Sequence, residues 1–136
     1  MGATQGEAET AKFVWYSDLE VALAEASIIQ KPVFIDFTGY TCTNCRWMET
    51  NIFVETEVQL LFDEFVLVQL FTDGGANYRE NQKMEIDRFG TAALPFYVVL
   101  NPGNEELARF HGMDPDVDKF IDFLEKSINS FKIKGI

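Results

Sequence analysis

At 136 residues the chain has the length of one domain and can bury a core without disulfide support. Its 47% hydrophobic and 24% charged residues match a soluble globular protein, and Phe, present 13 times, supplies large core side chains. A formal net charge of −11, from 22 acidic against 11 basic residues, repels phosphate backbones and anionic lipid, which argues against nucleic acid and membrane surfaces as partners.

Residues 1–11, MGATQGEAETA, are small and polar and read as a flexible leader to a single domain over 12–136. They lack the basic start and apolar run of a secretory signal. No stretch approaches the roughly 18 consecutive apolar residues of a membrane span, so this chain is expected not to insert into a bilayer. KFVWY (12–16) suits a short strand. Ser17, with Glu20 three residues on, reads as a capping box opening a helix whose inner face is Leu19, Ala22, Leu23 and Ala26. KPVFIDF is a short apolar run of β-branched and aromatic residues, the pattern of a strand buried on both faces, interrupted by Asp36. After the turn Thr38–Thr41 a second helix is predicted from about Cys42, breaking near Asn51 and resuming near Glu57. VLVQLF (66–71) reads as another buried strand and TDGGAN as a loop. YRENQKMEIDRF suits an amphipathic helix with Tyr78, Met84, Ile86 and Phe89 facing inward. LPFYVVL, NPGN and EELARFHG give an antiparallel hairpin. Asp114 as cap and Pro115 as first helical residue start a last helix, with Val117, Phe120, Ile121, Leu124 and Ile128 on one face. The predicted order is β-α-β-α-β-α-β-β-α: an α/β fold whose central mixed sheet is flanked by helices.

The only two cysteines are Cys42 and Cys45. They could form a redox couple, half of a metal site or a small staple. A tetrahedral zinc site needs about four Cys or His ligands, and the chain has one histidine, so no metal centre is expected. A disulfide closing so short a loop stabilises little through chain entropy. Cys42 lies where a central strand hands over to a helix, and open α/β sheets place their sites there. The helix amino end favours a thiolate, so Cys42 is the candidate nucleophile and Cys45, one turn inward, the resolving thiol. Asp36, in a buried strand six residues before Cys42, should have a raised pKa and could take the proton of Cys45. Glu49 returns to the same helix face and would oppose thiolate formation. Pro95 opens a strand, a position where its missing N–H is tolerated. His111 reads as a solvated strand end, Trp15 and Trp47 as packing residues.

The segments KPVFIDFTGYTCTNCRWME, ALPFYVVLN and ARFHGMDPDVDKFIDFL together resemble the thioredoxin superfamily, and within it the branch of the C-terminal periplasmic domain of the thiol:disulfide interchange protein DsbD. That resemblance covers the chain from about Phe13 onward. It implies a thioredoxin fold and a cis bond at Leu94–Pro95; the substrate groove is expected between the cysteine turn and Pro95, with Leu94 and, from its place next to that turn, Tyr40 lining it. It implies a redox-active Cys42–Cys45 disulfide with no other cofactor, flanked by Asp36 and Glu49. The implied partners are protein thiols and disulfides and a membrane electron-donor domain, the implied state a monomer, and the implied location periplasmic or otherwise extracytoplasmic. The chain departs from thioredoxin's Trp-Cys-Gly-Pro-Cys-Lys in having Thr41 before the pair, Thr43 and Asn44 within it and Arg46 after it. The pair's identity tunes redox potential, so a reductase, an oxidase or isomerase, and a non-enzymatic peptide- or copper-binding module of the same fold all stand as readings.

Overall fold

The structure, a computed structural model, describes residues 13–134; the leader expected over 1–11 lies outside them. Five strands and five helices follow one another as β1 (Trp15–Tyr16), α1 (Leu19–Ile29), β2 (Val33–Thr38), α2 (Thr43–Asn51), α3 (Thr56–Phe62), β3 (Val66–Phe71), α4 (Tyr78–Phe89), β4 (Phe96–Leu100), β5 (Glu106–His111) and α5 (Val117–Lys134). The strands form one sheet in the order β1-β3-β2-β4-β5. β1 and β2 run parallel to β3, whereas β4 is antiparallel to both β2 and β5. This is the mixed, helix-flanked α/β sheet that the alternation predicts. β2 lies at its centre, which is why its residues are apolar on both sides and all buried.

Strand alternation divides the core into two. Val33, Ile35 and Phe37 pack with Val66, Val68, Leu70, Phe96 and Val98 against the Ala22 and Ala26 face of α1. Phe34, Leu67, Tyr97 and Val99 face the opposite way, toward Met48, Phe53, Phe62 and the Phe120, Leu124 and Ile128 face of α5. The second core is aromatic: Trp15 stacks on Phe53 at 6.1 Å, and Phe34 on Tyr97 at 5.5 Å. Trp15 and Trp47 are packing residues there.

Several local expectations shift. The first strand is only Trp15–Tyr16. Asp18, not Ser17, caps α1, its carboxylate accepting the Glu20 and Val21 amides at 2.9 and 3.3 Å. Serine and aspartate cap about equally well, so the spacing alone did not choose between neighbours. Likewise α5 starts at Val117, where the Asp116 carboxylate accepts the Asp118 amide at 3.0 Å, and Asp114 forms a turn before it by accepting the Asp116 amide. The second helix is two helices, broken where expected.

On α4 the inner face contains Glu85 rather than Ile86, which is 45% exposed. Glu85 has no solvent exposure, and neither carboxylate oxygen has a hydrogen-bond partner among the described residues. Burial pushes its pKa up to about 8. A folded-state pKa above the unfolded one leaves folding unpenalised below the ordinary glutamate range and penalised fully above pH ~8. Glu85→Gln, which mimics the protonated acid, is therefore expected to raise the thermal unfolding midpoint at pH 9 and to leave it nearly unchanged at pH 4. Equal effects at both pH values would contradict this reading.

Candidate functional site

The central strand β2 leaves the sheet at Thr38, and Gly39, Tyr40 and Thr41 turn the chain into α2. Cys42 is the cap of that helix: its backbone is extended (φ −83°, ψ 104°) and its Sγ accepts the Cys45 amide at 3.1 Å. Cys42 and Cys45 are joined as a disulfide with their Cα atoms 5.3 Å apart. Cys42 is half-buried, while Cys45, on the inward face of the helix, is 2% exposed. Of the oxidised pair, Cys42 is therefore the more accessible residue and Cys45 the screened one. On reduction the amino end of the nine-residue α2 would hold the outer sulfur as a thiolate, through its free amides and its dipole.

Asp36 lies two residues along β2 from Phe34 and so faces the α2 side of the sheet. Its register partners are Gln69 on β3 and Tyr97 on β4, which bring three polar side chains into one row. The carboxyl is 1% exposed; Oδ2 accepts the Gln69 amide at 3.1 Å, and Oδ1 has no hydrogen-bond partner among the described residues. Burial raises its pKa from 3.8 to about 7; Gln69 and Arg46 lower it, and Glu49 raises it. Burial also drives the Tyr97 phenol well above its usual range, reinforced by the charges of Asp36 and Glu49.

Glu49 is paired with a neighbour on its own helix. Arg46 takes it in a two-pronged pair, Nε to Oε1 at 3.0 Å and a terminal nitrogen to Oε2 at 2.8 Å. The same guanidinium donates to the Thr38 hydroxyl at 3.0 Å and the Tyr40 carbonyl at 3.4 Å, tying α2 to the end of β2. The Arg46 guanidinium thus sets a positive charge against the negative charge of Glu49. Because the two charges act on Asp36 with opposite signs, Glu49→Gln is expected to lower its pKa from about 7 and Arg46→Gln to raise it. Carboxyl-carbon NMR titration reads both directions; shifts of the same sign in the two variants would contradict this.

The Leu94–Pro95 peptide is cis. Pro95 is buried at the start of β4. Leu94 is half-buried beside Gly39, where an added Cβ would lie 3.2 Å from Leu94 Cδ1. Tyr40 turns away from them. Its exposed ring stacks on Phe71 at 4.0 Å and lines a cavity of about 260 Å³ with Ser17, Gln69 and the loop Gly74–Asn77. His111 is exposed at the end of β5, with its ring 4.9 Å from that of Phe96.

Three residues of this site are not singled out by sequence patterns: Arg46, Gln69 and Asp73. Gln69 carried a usable signal, as a polar residue inside an apolar strand. Asp73 carried none, since acidic loop residues are common. Its Oδ1 accepts the Tyr40 amide at 2.8 Å, and its Oδ2 accepts the Thr41 amide at 3.1 Å and the Thr41 hydroxyl at 3.0 Å. Among the described residues, no group of three or more His, Cys, Asp and Glu side chains is gathered as a metal site would require, and no helix is long and apolar enough to cross a membrane.

No curated protein matches the chain in sequence. Among solved structures, a thioredoxin from Thermus thermophilus superposes with a TM-score of 0.73 at 24% identity, over 91% of this chain and 93% of its own. The C-terminal domain of DsbD from Neisseria meningitidis superposes in its oxidised form with a TM-score of 0.68 at 24% identity, over 84% of this chain and 99% of its own. In its reduced form the values are 0.67 and 25%, over 82% and 98%. These likenesses agree with the observed fold. Residues 14–102, more than half of the chain, match the Thioredoxin-like family model, and the protein, with its Cys-x-x-Cys disulfide at a helix amino end, belongs to that family of thiol:disulfide oxidoreductase folds.

Proposed function

We propose that the protein is a protein-disulfide reductase of a bacterial cell envelope, passing electrons through Cys42 and Cys45. The observation that carries this is the asymmetry of the pair: Cys42 is half-buried at the amino end of α2 and Cys45, one turn on, is 2% exposed. In the reduced protein the Cys42 thiolate attacks one sulfur of a partner disulfide, and the S–S bond breaks to release one partner thiolate. Cys45 gives its proton to the Asp36 carboxylate and attacks Cys42 Sγ, which releases the second partner thiolate and leaves Cys42–Cys45 oxidised. Two electrons have then moved to the partner. A carboxyl whose pKa is about 7 is matched to that transfer near neutral pH.

The partner docks beside Leu94 and the cis Pro95. A membrane electron-donor domain restores the dithiol, and the chain works as a monomer. Support for the envelope setting and the relay comes from the similarity to the DsbD C-terminal domain, which the chain spans almost completely. Reduction of insulin by dithiothreitol in the protein's presence, together with the equilibrium potential against glutathione, tests the reading. Catalysed reduction and a potential near the roughly −270 mV of thioredoxin are expected; a value near about −120 mV marks an oxidant instead. No catalysis at all would favour a binding module.

A further inference from the structure

We infer that Asp73 is a positioning residue for Cys42, the group that holds the turn delivering the nucleophile to the amino end of α2. This rests on the dithiol reading above, because it concerns how that thiol is presented. The parallel register places Thr38 beside Phe71, and the Thr72 amide still donates to the Thr38 carbonyl at 3.0 Å. Asp73, one residue further, therefore stands level with the turn Gly39–Thr41. There its carboxylate accepts both amides that immediately precede Cys42, and the Thr41 hydroxyl besides. Those amides belong to neither sheet nor helix, so this carboxylate supplies the acceptors that secondary structure would otherwise provide.

Two further observations make the contact a fitted one. A Cβ added to Gly39 would lie 2.9 Å from Asp73 Oδ2 and 3.1 Å from its Cγ, so the turn approaches the carboxylate as closely as a glycine allows. On the other flank, the Tyr40 ring is stacked on Phe71 at 4.0 Å and its hydroxyl would lie 3.0 Å from a Cβ at Gly75. The turn is thus held between β3 and the loop after it. The amides of Tyr40 and Thr41 also hold the Asp73 pKa below its usual value, so the acceptor is charged throughout the neutral range. Asp73 is exposed, and screening weakens its direct repulsion of a thiolate. Geometry is the larger effect: a nucleophile displaced by a fraction of an ångström from the helix end loses both thiolate stabilisation and attack angle.

The test measures iodoacetamide alkylation of Cys42 against pH in a Cys45→Ser background, and insulin reduction in the Cys45-containing protein. Asp73→Ala is expected to move the alkylation midpoint upward and to slow insulin reduction roughly tenfold. Asp73→Asn, which retains an acceptor for one amide, should fall between. Gly39→Ala should reproduce the upward shift with the carboxylate still present, because the added methyl displaces it. An unmoved midpoint in Asp73→Ala and Gly39→Ala, whatever their unfolding temperatures, overturns the inference. So does a downward shift, which would mean that the charge acts directly. If Asp73→Ala does not fold, Asp73→Asn and Gly39→Ala decide by the same criterion. A starting protein that fails to reduce insulin while the midpoint still shifts refutes the reductase reading and leaves the positioning role standing.

Discussion

Cys42→Ser is expected to abolish disulfide reduction, with a loss on the order of a thousandfold or more, because no other thiol reaches a partner from this surface. Cys45→Ser is expected to lose turnover as well, but by a different route: the half-exposed Cys42 still attacks, and the product stays attached as a mixed disulfide. Non-reducing gel electrophoresis after mixing each variant with a disulfide-containing protein separates the two. A trapped adduct should appear with Cys45→Ser and be missing with Cys42→Ser. The reverse pattern would exchange the roles. The assignment follows from burial, since Cys45 at 2% exposure meets only what Cys42 has already captured.

Asp36→Asn is expected to stabilise the fold and slow the enzyme. The carboxyl pKa is raised from 3.8 to about 7, chiefly by burial. The sign follows from linkage: the folded state favours the neutral acid, so ionisation penalises folding progressively as pH rises through that window. A shift of about three pKa units corresponds to about 4 kcal/mol, fully present only above pH ~8 and absent below pH ~4. Chemical denaturation of Asp36→Asn at pH 8.5 should show a gain of up to that size, and at pH 4 almost none. In the proposed mechanism the same substitution removes the acceptor for the Cys45 proton, so release of the mixed disulfide should slow on the order of a hundredfold near pH 7. A variant equally stable relative to the unsubstituted protein at both pH values, with unaltered release, would take Asp36 out of the mechanism.

Much of this was legible in the sequence. The apolar run Val33–Phe37, the interruption at Asp36 and the cysteine pair just beyond it are features within one short segment, and short-range periodicity reports such features well. The face of α5 that carries Phe120, Leu124 and Ile128 was equally plain. Misplacements arose where neighbouring residues serve one purpose equally well. Ser17 and Asp18 are both residue types that can cap a helix, as are Asp114 and Asp116, and only Asp18 and Asp116 accept the first helical amides. The inward turn of Glu85 in place of Ile86 runs against hydrophobicity, and it follows from the phase of α4 set by Phe89 and the sheet beneath it.

By itself the sequence determined the chemical stock of the site: two thiols at helical spacing, an acid in a buried strand before them and a proline opening a later strand. Only the tertiary structure decided which groups meet that stock. Gln69 reaches Asp36, Asp73 reaches the turn before Cys42, and Arg46 bridges Glu49 to Thr38. The first two contacts cross 33 residues of chain, and strand register makes them. Register is set by the packing of the whole sheet, whereas sequence patterns carry information only over the few residues of a turn or a strand.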